Sequence, residues 1–209
     1  MIENWHQNLK NKNREELITA GKELFMNQNF LSVNIKDLCE AAGVSRVTFY
    51  KHFHSIDELI CEVQMELLET MTDFLESQTA GPQSGREKLM ILTEAWIDYA
   101  RLHPGHLKFT VLFDLHYTYE SNQLLKQRYT NFINTKKEQL FLIQILEAGK
   151  LDGSIRPDIE AVETAQFIYS SMIGLLQKLS LFPIEEWGSM PTRFVDMLIQ
   201  YLSNSGNVR

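Results

Sequence analysis

Apolar residues recur at three- and four-residue spacing along almost the whole chain, the period of one face of an α-helix. Leu17, Ile18, Ala20, Gly21, Leu24 and Phe25 form the first such stripe and predict a helix over about 13–28, with Phe30 closing it against a core. Asn34 then precedes the run IKDLCEAA, whose inner face is Ile35, Leu38, Cys39 and Ala42. An Asn at that point caps a helix by accepting from free N–H groups, and Asp37 complements the positive end of its dipole. Gly43 stops the helix, because glycine accepts the left-handed backbone that a helix C-terminus often needs. Ser45 caps a short helix running to about 53, and Ser55, followed by Asp57 and Glu58, opens a long one to about 77.

The turn formers TAGPQSG (79–85) make a break, after which helices are predicted at about 85–102, 105–116, 121–149, 158–181 and 191–203. The intervening breaks are HPG (103–105), DGSIRP (152–157) and FPIEEWGSMP (182–191). No strand-like alternation bounded by turns appears, and no internal repeat or low-complexity tract. The pattern is all-α, with a three-helix unit in front (1–56) and a larger helical bundle behind (57–209).

Composition narrows the class. Of 209 residues, 44% are hydrophobic and 11% aromatic, enough to pack a core, and the formal net charge is −7. That balance disfavours nucleic-acid binding by the chain as a whole but not by a local basic face. No apolar run is long enough to span a membrane, and the start, MIENWHQNLKNKNREE, has no apolar signal core, so a cytoplasmic protein is expected. Of the two cysteines, Cys39 reads as a small buried hydrophobe. Cys61 reads as structural or incidental, with a redox-active thiol as the alternative. No Gly-rich phosphate loop, nucleophile elbow, CxxC pair or HExxH is present, so neither an enzyme nor a cofactor is expected. His103, His106 and His116 do not show the fixed helical spacing of a zinc pair, and no metal site is assigned to them.

The chemistry concentrates in CEAAGVSRVTFYKHF (39–53), two short helices around Gly43, the helix-turn-helix pattern. Phe49 and Phe53 are four apart on one face of the second helix and must pack against Leu38, Phe25 and Phe30. Arg46, Val47, Thr48, Tyr50 and Lys51 then face outward. Such a face suits a major groove: Arg46 can fork onto a guanine edge or a phosphate, and Val47 can meet a thymine methyl. Thr48, Tyr50 and Lys51 can hold phosphates, and the helix N-termini behind Asn34 and Ser45 offer N–H groups to others. The bland alternative is a generic solvated helix turn.

Asn34, Ile35, Leu38, Ala42, Gly43, Val44, Ser45, Phe49, Tyr50, His52, Phe53, Glu58 and Leu59 fall in the order and spacing of one known pattern. Over about residues 13–60 the chain resembles the TetR family of bacterial transcriptional regulators. Two positions depart from that pattern. Asn34 replaces the usual Thr or Ser, and Ile56 stands where many members carry a phosphate-holding lysine, which leaves Lys51 or His54 to substitute. The resemblance implies a homodimer on double-stranded DNA with a palindromic operator, and an unknown small-molecule effector bound in the C-terminal bundle.

The back half supports dimerisation on its own terms. Residues 161–181, AVETAQFIYSSMIGLLQKLSL, are apolar nearly all round from Ala165 on, with small residues that permit close helix approach. Together with FVDMLIQYL (194–202) they predict a symmetric four-helix interface through Phe167, Ser170, Ser171, Gly174, Leu175, Phe194, Met197, Leu198 and Tyr201. The alternative is that both helices are central within one chain. Candidate effector-lining residues are Trp96, Tyr99, Phe109, Phe113, Tyr117, Tyr129, Phe132 and Met172, with core packing as the competing explanation. Glu94, Asp98 and Asp114 lie near these aromatics and would suit a cationic, hydrophobic ligand; otherwise they are solvated helix faces. The function expected is a repressor released by a small molecule. The alternatives are a ligand-independent DNA-bound protein that recruits a partner, and a helical enzyme or binding module.

Overall fold

The computed structural model describes residues 2–28, 30–117, 123–136 and 138–203; of 2–11, 124, 133–136 and 138–140 it describes the backbone only. The chain is helical: α1 (Ile2–Asn27), α2 (Ile35–Ala41), α3 (Arg46–His52), α4 (Ile56–Gln78), α5 (Gly85–Leu102), α6 (Pro104–Tyr117), α7 (Gln123–Lys136), α8 (Glu138–Asp152), α9 (Ala161–Leu179) and α10 (Met190–Leu202). Two short 3₁₀ turns stand at Phe30–Ser32 and Ile184–Glu186. No strand occurs among the described residues; one isolated bridge joins Ile155 to Ser203. No described helix is long and apolar enough to cross a membrane.

Several boundaries differ from the expected ones. α1 begins at Ile2 rather than near 13, since neither glycine nor proline interrupts that stretch. The helix expected over 121–149 is α7 and α8, the second running on to Asp152; residues 121, 122 and 137 lie outside the described ones. α6 starts on Pro104 itself, because a proline lacks only an N–H that the first helical position would leave unused. α9 starts at Ala161, where the Glu160 side chain accepts from the Glu163 N–H.

Two compact units are present. One comprises the residues up to Leu68 together with Lys108–Phe132; the other comprises Glu69–Leu107 and the residues from Ile133 on. The core of the first gathers Leu17, Phe25, Phe30, Leu38, Phe49, Phe53, Leu59 and Phe109. Phe109 stacks on Phe25 at 5.8 Å, and Phe30 lies 5.2 Å from the same ring. Within this unit Gln64 is fully buried; its amide donates to the Tyr129 hydroxyl (3.3 Å) and accepts from the Thr110 hydroxyl (3.2 Å). Asp114 is half-buried on α6 with no hydrogen-bond or ion-pair partner among the described residues, and burial pushes its carboxyl up to about 6.

The core of the second unit gathers Leu89, Leu92, Trp96, Leu142, Leu146, Ile168, Met172 and Leu198. α5 and α8 approach closely, so that a Cβ on Gly85 would sit 2.3 Å from the backbone of Gly149. The N-terminus of α5 is fastened there: the Gly85 N–H donates to Asp152 (2.8 Å) and the Arg86 N–H to the Ser154 hydroxyl (3.0 Å). Ser84 and Glu87 add a reciprocal capping box.

Two outcomes are expected. Gly85→Ala, which places a methyl against backbone that cannot rotate away, should lower stability by about 3 kcal/mol in urea unfolding. Asp114→Asn should raise stability at pH 7.5 by roughly 1–2 kcal/mol, a figure discounted for partial solvent access. The sign follows from the proton count. Between the ordinary aspartate value and about 6 the folded chain holds a proton that the unfolded chain has lost. Wild-type stability therefore rises as the pH falls through that window, and the Asn variant should lack the rise.

Candidate nucleic-acid interface

The helix-turn-helix is built from local capping. The Asn34 side-chain oxygen accepts from the N–H groups of Lys36 (2.9 Å) and Asp37 (3.2 Å), while its amide donates to Asp37 (2.6 Å). At the other end of α2, Gly43 has φ +64°. The Gly43 N–H donates to Glu40 O and the Val44 N–H to Cys39 O, the paired bonds of a left-handed helix stop. A Cβ at Gly43 would touch nothing within 4 Å, so the demand for glycine is one of backbone conformation alone. Two residues later the Ser45 hydroxyl accepts from the Thr48 N–H at 3.1 Å and opens α3.

Packing sets which way α3 faces. Phe49 and Phe53 are 0% and 1% exposed, with ring centroids 5.8 Å apart. On the other side Val47 is 68% and Tyr50 56% exposed, and Arg46 and Lys51 are also exposed. Thr48 is half-buried and its hydroxyl lies 3.0 Å from that of Ser45, so it sits at the edge of this face. The side-chain acceptors of Asn34 and Ser45 are used in capping. His54 is exposed, yet its N–H (2.8 Å) and its Nδ1 (3.0 Å) are both held at Glu58. Ile56, the departure from the lysine, is half-buried and packs against the core of the unit. Around α3, no carboxylate occurs between Ala41 and Ser55. Cys39 is buried and its thiol is pushed up by that burial; Cys61 is buried likewise, its thiol pushed up to about 11, which disfavours the thiolate.

The eight candidate effector-lining residues are not brought together in one unit. Trp96, Tyr99 and Met172 belong to the second, all at 5% exposure or less, with Trp96 edge-on to Tyr169 and Tyr99 against Phe74. Phe109, Phe113, Tyr117, Tyr129 and Phe132 belong to the first and pack on its core. Tyr117 donates its hydroxyl to Asp57 at 2.6 Å, so this ring also serves α4. Glu94 and Asp98 are exposed, Asp98 beside Arg101 at 3.0 Å. His103 and His106 stack at 4.8 Å, and His106 Nδ1 is 2.9 Å from the Tyr99 hydroxyl. No group of three His, Cys, Asp or Glu able to hold a metal occurs among the described residues.

The candidate dimer residues divide by direction. Phe167 (67%), Met197 (72%) and Tyr201 (64%) are exposed, as are Ser170 and Gly174, while Ser171, Leu175 and Phe194 are half-buried at the margin. Leu198 points inward, 7% exposed, and belongs to the core of its own unit. Sequence reasoning did not include the exposed Val162, Leu181, Phe182 and Met190, which enlarge the apolar surface of α9, α10 and the segment between them. It also missed Arg14, Glu62 and Arg128, an ionic group formed across long sequence separations that no local pattern announces.

Residues 17–63 match the family model of bacterial regulatory proteins of the tetR family. The HTH-type transcriptional repressor KstR2 of Mycolicibacterium smegmatis is 24% identical over 157 residues, covering 74% of this chain and 73% of that protein. The uncharacterized HTH-type transcriptional regulator YfiR of Bacillus subtilis is 28% identical over 182 residues, covering 85% and 84%. Among solved structures, the transcriptional regulator FadR from Bacillus subtilis in complex with stearoyl-CoA superposes with a TM-score of 0.68 at 16% identity, over 91% of this chain and 97% of that one. With the capped turn, the buried phenylalanines and the outward basic face already in place, residues 17–63 are a helix-turn-helix segment of the kind found in bacterial regulatory proteins of the tetR family.

Proposed function

We propose that the chain is a homodimeric transcriptional repressor that reads a palindromic operator with α3 and leaves it when a small molecule binds. The observation that carries this reading is the division of α3 into a buried Phe49–Phe53 side and an exposed side bearing Arg46, Val47, Tyr50 and Lys51. Arg46 reads a base edge and Tyr50 and Lys51 hold phosphates, with Thr48 at the margin and the N-termini behind Asn34 and Ser45 lending N–H groups. On this reading 1–56 is the DNA-binding domain and 57–209 the effector-binding and dimerisation domain.

The exposed apolar residues of α9 and α10 support the homodimer, since large apolar side chains such as Phe167, Met197 and Tyr201 gain free energy when a second copy covers them. Two-fold symmetry then demands a palindromic site with half-sites about one helical turn apart or somewhat more. The effector acts through α4, the unbroken helix that follows α3, and must bind the released geometry better than the operator-bound one. An effector with a long apolar chain is the first class to test, in view of the stearoyl-CoA held by the Bacillus subtilis FadR structure.

Selection of bound duplexes from random DNA at a fixed salt concentration should recover a palindrome. On that duplex Arg46→Ala should cost about 1–3 kcal/mol and relax preference at one base position; a uniform loss on all sequences would make Arg46 a phosphate contact. Met197→Glu, placed on the exposed apolar face, should convert the dimer to a monomer in sedimentation and abolish operator binding at the same concentration. Retention of the dimer would remove α10 from the interface.

A further inference from the structure

An ionic cluster joins α7 to the turn that follows α3. Its centre is a pair of carboxylates one helical turn apart on α4. Glu58 accepts the His54 N–H at 2.8 Å and lies 3.0 Å from the His54 ring nitrogen, while its other oxygen is 3.5 Å from an Arg128 nitrogen. Glu62 is 2.5 Å from the second Arg128 nitrogen through one oxygen and 2.6 Å from Arg14 through the other. The Arg14 guanidinium in turn lies over the Phe53 ring, 5.4 Å from its centroid. Two guanidinium groups thus balance two carboxylates, and both acids are shielded, at 23% and 18% side-chain exposure.

The groups that the cluster holds are those that orient α3. Phe53 caps its C-terminus, and His54 begins the turn into α4. Burial pushes the Glu58 carboxyl up, but the bonds from His54 and the charge of Arg128 outweigh it and keep the group below its usual range. Without Arg128, two like charges would face each other at the i, i+4 spacing, with Arg14 paired to Glu62 and no guanidinium at Glu58. A shielded carboxylate without a counter-charge turns to water. Glu58 would then release the His54 N–H, and Glu62 would compete to draw Arg14 from Phe53.

We propose that Arg128 is a positioning residue for DNA reading: by neutralising Glu58 and Glu62 together it holds the turn after α3, and so the orientation of α3, in the form that meets the groove. The proposal rests on the reading of α3 as the groove-binding helix. Arg128 itself makes no base contact; it acts through Glu58 and Glu62 on His54, Arg14 and Phe53.

The test uses the full chain and the duplex recovered by selection, at one salt concentration and at a temperature where circular dichroism shows every variant folded. Arg128→Met, which keeps the aliphatic stem, should weaken binding about tenfold, the size of a coupling of this kind. Arg128→Lys should restore most of the affinity, and adding Glu62→Gln to Arg128→Met should restore part of it by removing one stranded charge. A role in stability alone would leave the affinity of a fully folded variant unchanged, so wild-type binding by folded Arg128→Met overturns the clamp. If that variant does not fold, Glu58→Gln takes its place; it should lose affinity severalfold, and wild-type binding again overturns the proposal. Failure of the selection to recover any sequence would overturn the DNA reading beneath it and the clamp with it, which separates the two failures.

Discussion

The outward face of α3 depends on the burial of two phenylalanines. α3 has seven residues, too few to be helical alone in water, where isolated helices shorter than ~12–15 residues are marginal. Its stability comes from packing, and Phe49 and Phe53 supply it by entering the core shared with Leu38, Phe25 and Phe30. Because they stand one helical turn apart, their burial also fixes the rotation of the helix about its axis. Arg46, Val47, Tyr50 and Lys51 point outward as a geometric consequence. The caps at Ser45 and Gly43 act at the ends of the same short element and set where it begins and how it leaves α2.

Charge is arranged around that anchor. The chain is acidic, yet the carboxylates nearest the end of α3 are engaged on α4. Glu58 is held by Arg128 and His54, Glu62 by Arg128 and Arg14, and Asp57 accepts the Tyr117 hydroxyl. Acids spent in this way add little negative field at the outward face of α3, where Arg46 and Lys51 stand in a stretch free of carboxylates. A net charge of −7 is therefore compatible with a locally basic face, and it opposes indiscriminate adsorption to the DNA backbone.

Much of this was legible in the residues because the signals are local. Asn34, Gly43, Ser45 and Ser55 act within three residues of themselves, so capping rules place the ends of α2, α3 and α4 closely. The Phe49–Phe53 spacing reveals the buried face of α3 for the same reason. On α10, by contrast, apolar residues extend round more than one side. Met197 and Tyr201 prove exposed while Leu198 is buried, a choice made by neighbouring helices. The aromatic candidates show the same limit. Periodicity puts Phe109, Phe113 and Trp96 on apolar faces alike, but it cannot show that Phe109 packs with α1, Phe113 with α7 and Trp96 with α9.

The sequence by itself determined the all-helical plan, the capped turn at Gly43 and the outward basic face of α3, since each follows from backbone preferences and spacings a few residues long. Only the tertiary structure decided that Ile56 is a packing residue, that His54 is tied to Glu58, and that Arg128 meets acids some 66–70 residues before it. Those outcomes need groups distant in the chain to meet at a few ångströms, and the free energy of such a meeting depends on burial and geometry that no local pattern contains.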